Sequence, residues 1–251
     1  MELFNVIIFF ILGTVFGSFY NVVGLRVPRK IFLQSERSIC PKCEKTLNWY
    51  ELIPIYSYIL QKGKCRGCQH SISIIYPLIE LLTGVSFVLC YWHFGLTIDL
   101  IFALVITSLA VIVIVTDLST YLIPNRILLF FLPWFILLRL IIPVDPWWSP
   151  IAGAVIGFSL ILVIIVASKG GMGAGDMKYF GVLGIAFGYQ GILLVFLLAT
   201  FFGALINLIL LVLGKVTRRS KIPFGPYISL ATLTVLFWGE ALITWYIELF
   251  F

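Results

Sequence analysis

The sequence predicts an all-α polytopic membrane protein: about eight transmembrane helices with a small zinc-binding cytoplasmic loop. Three observations carry this. Hydrophobic residues make up 61% of the 251 and charged residues 11%, against about 45–50% and about 25% in ordinary soluble domains. Mean hydropathy is +1.11. The apolar residues fall in runs of about 20, the length of a helical span. One water-soluble core cannot hide that much apolar surface. A soluble enzyme, a disordered tail and a secreted disulfide scaffold are therefore excluded.

Six runs give one span each: 4–24, 74–92, 97–116, 122–142, 150–168 and 226–249. No basic segment precedes 4–24 and no small-residue cleavage site follows, so it reads as a retained span. The stretch 177–213 holds 37 residues. As one helix it would reach about 55 Å, against a hydrocarbon core of about 30 Å. Gly188-Tyr189-Gln190-Gly191 offers a turn inside it. The stretch therefore divides into 177–188 and 191–213, making eight spans.

Charge supports the count. Basic residues collect in cytoplasmic loops. With both termini outside, the inner loops are 25–73, 117–121, 169–176 and 214–225. These loops and their flanks hold sixteen of the seventeen basic residues, including Arg37, Arg218 and Arg219; Arg139 is left at the outer face. Merging 177–213 into one span would put Lys215 to Lys221 outside. The net charge of +6 thus reports orientation in a bilayer, and no nucleic-acid partner is expected. Two regions follow. Residues 1–92 hold the first two spans and the cytoplasmic tetracysteine loop (25–73), and residues 93–251 form a six-span core.

The loop reads Cys40-Pro-Lys-Cys43, then 21 residues, then Cys65-Arg-Gly-Cys68. Two thiolate pairs on tight knuckles suit a tetrahedral Zn²⁺. Adjacent Lys and Arg favour thiolate over thiol, and a reducing cytosol disfavours disulfides. Two disulfides or unligated thiols are the alternatives. Full cysteine coordination leaves no open position, so such a zinc would be structural. His70 is a weaker competing ligand, and Cys90, inside a span, reads as a packing thiol.

Acids at a membrane edge are costly and usually functional. Asp117 ends the apolar run Val111–Asp117, ahead of Ile123-Pro124. Asp176 ends the glycine loop Gly170-Gly-Met-Gly-Ala-Gly-Asp176-Met-Lys178. The eight-span arrangement puts both at the cytoplasmic edge. Two neighbouring carboxylates do not both ionise easily, so one can be the base while the other holds a proton. That pair can activate water against a peptide carbonyl and protonate the leaving amine. Gly173 and Gly175 would let an extended strand approach the aspartate. The alternative is that both acids are boundary residues near helix starts, where an acid is mildly stabilised. Asp99 and Asp145, in or beside outer turns, read as solvated. Glu80 and Glu240 could each line a polar cavity or pair with a neighbour.

Several motifs together resemble the bacterial prepilin peptidases, or type IV leader peptidases, which are G-x-G-D aspartic proteases. They are Gly17-Ser-Phe-Tyr-Asn21 with Arg26-Val-Pro28, the two cysteine pairs, Trp49-Tyr50-Glu51 with Pro54, and Tyr76-Pro77-Leu-Ile-Glu80. Asp117 with Ile123-Pro124, Gly171-Met-Gly-Ala-Gly-Asp176-Met-Lys178, and Lys221-Ile-Pro-Phe-Gly225-Pro226 complete the series. Tyr20 and Val27 stand where that family has leucines. The resemblance implies that Asp117 and Asp176 are the catalytic pair, supported by Gly173, Gly175 and Lys178. It implies a prepilin or pseudopilin substrate, cut at a glycine–X bond on the cytoplasmic side of a bacterial cytoplasmic (inner) membrane. It also implies N-methylation of the new terminus from S-adenosylmethionine, an activity associated with the cysteine loop. No motif in the sequence marks the methyl-donor site. A transporter with acids as ion ligands, or a scaffold whose zinc loop binds a partner, are the competing classes. Transporters often carry paired repeats and mid-membrane sites, and neither pattern is evident.

Overall fold

The structure, a computed structural model, describes residues 2–32, 38–217 and 220–250. Arg37, Arg218 and Arg219 of the charge count lie outside the described residues. Regular structure among the described residues is helical: α1 (Glu2–Arg26), α2 (Tyr56–Leu60), α3 (Ile75–Phe94), α4 (Ile98–Thr120), α5 (Asn125–Ile141), α6 (Ser149–Ala167), α7 (Ala174–Val212) and α8 (Gly225–Phe250), with a 3₁₀ turn at Trp49–Glu51. In lipid only internally bonded backbone survives, so helices are the expected solution. α1, α3, α4, α6, α7 and α8 are long and apolar enough to cross a membrane. α5 has 17 residues and contains Pro133, and it covers most of the expected 122–142 span.

α7 holds 39 residues but is broken at Gly188, whose φ of 71° and ψ of −176° are not helical. A residue with a Cβ is strained at that φ. Other groups take up backbone that the break frees. Arg139 of α5 donates to the Ala186 carbonyl, through Nε at 2.7 Å and through its second guanidinium nitrogen. Tyr189 N–H donates to Ser149 Oγ at 3.3 Å. Arg139, the basic residue left at the outer face by the charge count, also lies over the Phe102 ring at 4.1 Å. With α7 counted as two pieces and α5 added to the long apolar helices, the described residues hold eight such segments, consistent with the expected eight.

The chain divides into two compact units, Met1–Leu100 and Ile101–Phe251. In the first, α1 packs along α3. A Cβ on Gly13 would lie 2.7 Å from the Gly84 Cα. Small residues allow such approach, which drives helix association where lipid removes the hydrophobic term. In the second unit α6 packs on α7 by the same device, Gly153 against Gly184. α7 also packs against α5 and α8. α4 is the most enclosed span, with 67% of its apolar window buried.

Two boundaries differ from the expected ones, and both matter. α4 continues to Thr120, so Asp117 lies in its last turn. α7 starts at Ala174, so Asp176 lies in its first turn. The second difference has a local cause: Asp176 Oδ2 accepts the Gly173 N–H at 3.1 Å, reaching back to the residue that precedes the helix.

Candidate active site and metal centre

Asp117 and Asp176 are 5% and 8% exposed, and they lie close enough for their charges to interact. Two contacts tie their segments together. Gly175 packs against Ile123, where a Cβ would sit 3.1 Å from the Ile123 Cβ. Lys178 Nζ donates to Asn125 Oδ1 at 3.0 Å. Lys178 thus joins α7 to the start of α5 through Asn125 and not through either aspartate.

The aspartates are held differently. Asp176 stands in the first turn of α7, where the helix dipole favours an acid. Asp117 stands in the last turn of α4, where the dipole opposes one. Relief comes from the start of α8: Gly225 N–H donates to Asp117 Oδ2 at 2.7 Å, and this bond is buried. A helix N-terminus is a natural partner for a carboxylate. Boundary stabilisation therefore explains Asp176 in part and does not explain Asp117. Asp145 is exposed and Asp99 half-buried in the first turn of α4. Glu240 is exposed.

In the loop, each cysteine pair forms the same turn. Cys40 N–H donates to the Lys45 carbonyl, and Glu44 N–H donates to the Cys40 carbonyl. Cys65 N–H likewise bonds the His70 carbonyl, and Gln69 N–H the Cys65 carbonyl. Isolated antiparallel bridges, Ile39 with Thr46 and Lys64 with Ser71, close the two turns. All four sulfurs lie within 4.8 Å of one another, with Cys40–Cys68 at 3.8 Å and Cys43–Cys65 at 3.9 Å. Disulfide sulfurs would be about 2.05 Å apart. Zn–S bonds of about 2.3 Å give tetrahedral edges of about 3.8 Å, so the donor set fits Zn²⁺.

Electrostatics agrees with the geometry. Backbone amides of Cys43 and Lys42 lower the Cys40 thiol to about 6. The Lys45 amide also pulls Cys43 down, but its sulfur neighbours, Cys68 first, and burial overrule it and push Cys43 up to about 11. Four sulfurs this close do not all ionise unaided, and a divalent cation removes the conflict. His70 contributes its carbonyl to the second knuckle and is not in the sulfur cluster.

Residues 11–94 match the model of the bacterial peptidase A24 N-terminal domain, and residues 104–208 match that of the type IV leader peptidase family. The prepilin leader peptidase/N-methyltransferase of Bacillus subtilis (strain 168) is 40% identical, over 96% of this chain and 98% of that protein. The chain belongs to the type IV leader peptidase family. The protein of the same description from Legionella pneumophila is 33% identical over 87% of this chain and 78% of its own. That from Neisseria gonorrhoeae is 32% identical over 88% and 86%. No solved structure matches the chain.

Within this family member, three residues gain roles that sequence reasoning had not given them. Gly225, noted as part of a motif, is the partner of Asp117. Glu51 is a buried acid that accepts the Asn48 N–H at 2.9 Å and pairs with Lys45 at 3.4 Å. Glu80, left open between a cavity and a partner, accepts the Ile55 N–H at 2.7 Å. The motifs contained all three, but a motif does not name a partner.

Proposed function

We propose that the chain is a prepilin leader peptidase and N-methyltransferase whose peptidase centre is the pair Asp117 and Asp176. The observation that carries this reading is the meeting of two buried acids from distant segments, pinned by Ile123–Gly175 and Asn125–Lys178 contacts. One aspartate takes a proton from water as its oxygen adds to the carbonyl carbon of the scissile peptide. The other gives its proton to the leaving amine nitrogen as the C–N bond breaks. Neighbouring carboxylates in a site of low dielectric share a single proton readily, which fits these two roles.

The substrate is a prepilin or pseudopilin, a basic leader ending in glycine and followed by an apolar helix, cut at the glycine–X bond. Both aspartates face the cytoplasmic side of a bacterial cytoplasmic membrane, with the cysteine loop on that side and both termini outside. The four cysteines hold a structural Zn²⁺. S-adenosylmethionine supplies the methyl group for the new N-terminal amine. The 1–92 region carries the zinc loop, and 93–251 carries the peptidase core.

Purified protein mixed with a synthetic prepilin tests the reading, with leader release and methyl transfer measured separately. Release of the leader by the wild type, and none by Asp117→Asn or Asp176→Asn, is the expected result. Single-cysteine labelling at Lys221 and Asp145 tests orientation. The first should react only from the cytoplasm and the second only from outside.

A further inference from the structure

The segment after the first cysteine knuckle carries an unpartnered apolar face. Trp49, Leu52, Ile53, Tyr56, Ile59 and Leu60 are 78%, 39%, 36%, 57%, 66% and 55% exposed. Tyr56, Ile59 and Leu60 share one side of α2 at i, i+3, i+4 spacing, and Leu52 and Ile53 lie in the turn that leads into it. In water such a face would be buried or absent, because apolar patches on soluble surfaces mark an interaction. Exposed Lys62, Lys64 and Arg66 follow directly. Among the described residues of the loop the acids are Glu44 and Glu51, and Glu51 is already paired with Lys45.

Two observations select the occupant. The first is charge: an apolar face with tryptophan and tyrosine, bordered by cations, matches the headgroup layer of an anionic bilayer. The second is level. Ile55 N–H is held by Glu80, five residues into the membrane-length helix α3. Ile55 is β-branched and has a φ of 60°, a costly conformation that the Glu80 bond fixes. Ile72, just before α3, accepts from the Tyr58 hydroxyl at 3.4 Å. The start of α2 is thus drawn to the first two turns of α3, where Ile75 and Leu78 are themselves exposed apolar residues.

We infer that residues 49–60 form an interfacial anchor. Their apolar face lies in the headgroup layer of the bilayer that the spans cross, and Lys62, Lys64 and Arg66 meet anionic lipid. The anchor holds the cysteine knuckles against the membrane surface, and it does so whatever reaction the chain performs.

The test uses the full chain in nanodiscs of phosphatidylcholine, with or without phosphatidylglycerol. The photoreactive residue p-benzoyl-phenylalanine replaces Ile59 or, in a second protein, Tyr56. Leu78 is the lipid-facing control and Gln69, exposed in the second knuckle, the aqueous one. Metal content reports that the loop is intact. Lipid adducts at 59 and 56 approaching the yield at 78, and well above that at 69, are expected. Phosphatidylglycerol should be over-represented among them. Lys62→Glu combined with Lys64→Glu should cut that preference by about tenfold. Yields at both positions no higher than at 69, or adducts only to a second protein chain, overturn the anchor. Indifference to phosphatidylglycerol and to the charge reversal overturns the role of the cations.

Discussion

Gly225 and Asp117 are joined by a buried 2.7 Å hydrogen bond across 108 positions of sequence. The bond brings the N-terminus of α8 to the C-terminal turn of α4, where an acid would otherwise face the negative end of a helix dipole. It commits Oδ2 and so fixes how the carboxyl group is turned. A Cβ on residue 225 would stand 2.7 Å from Oδ2 and 3.0 Å from the Asp117 Cβ.

Gly225→Ala therefore displaces the Asp117 carboxyl. Displacement of a reacting group by about 1 Å can cost about 10²-fold, and leader release should fall by that order. Metal content of the cysteine loop should not change. A kinetic assay on synthetic prepilin, alongside metal analysis, reads both. An alanine variant with wild-type turnover would remove the positioning role.

Asp117→Asn and Asp176→Asn should each abolish leader release, since an amide can serve neither as the base nor as the acid. Asn keeps the shape, and each variant should still insert and fold. Asp99→Asn and Asp145→Asn should cleave as the wild type does. Full activity in either dyad variant would falsify the assignment.

About one zinc per chain is expected in a thiolate shell. Because the loop has little core of its own, the metal contributes folding free energy to it. Cys40→Ser or Cys65→Ser should release the metal and open the 38–73 segment to protease. Methyl transfer should suffer at least as much as cleavage. Mass spectrometry of the intact protein and two separate activity assays decide it. Metal-free wild-type protein competent in both reactions would leave zinc with no role.

Glu51 gives the loop a pH dependence. Its carboxyl is held below the ordinary value of 4.5, by the Asn48 amide and then by the Lys45 ammonium, against some burial. A lowered folded value means that the carboxylate stabilises the loop above the ordinary carboxylate range. That contribution is lost as pH falls through the folded value. Glu51→Ala should make the loop easier to digest at neutral pH. The gap between variant and wild type should close on acidification. An unchanged gap at low pH would show that the charge of Glu51 is not the cause.

Arg139→Gln should loosen the break in α7. The guanidinium bonds the Ala186 carbonyl and covers the Phe102 ring. Hydrogen bonds from charged groups contribute about 1.5–3 kcal/mol. Thermal inactivation in detergent should begin at lower temperature than for the wild type. Unaltered inactivation would mean that the carbonyl finds another donor.

Much of this protein was set by local sequence. Hydropathy determined the membrane class, because a run of about 20 apolar residues is itself a span. Length and one glycine pair determined that 177–213 divides, and Gly188 is where the helix breaks. Spacing within Cys40–Cys43 and Cys65–Cys68 determined two knuckles, because each closes within a single turn. The tertiary structure alone decided the partners. Gly225 meets Asp117 through a backbone N–H, a group that every residue except proline carries and that leaves no mark in the sequence. Glu80 accepts the Ile55 N–H and Arg139 donates to the Ala186 carbonyl, backbone groups likewise unmarked in the sequence, and Lys178 reaches the Asn125 side chain. Each partner is a matter of which helix faces which, and at what height. Residue identity fixes what a side chain can bond; helix packing decides what it reaches.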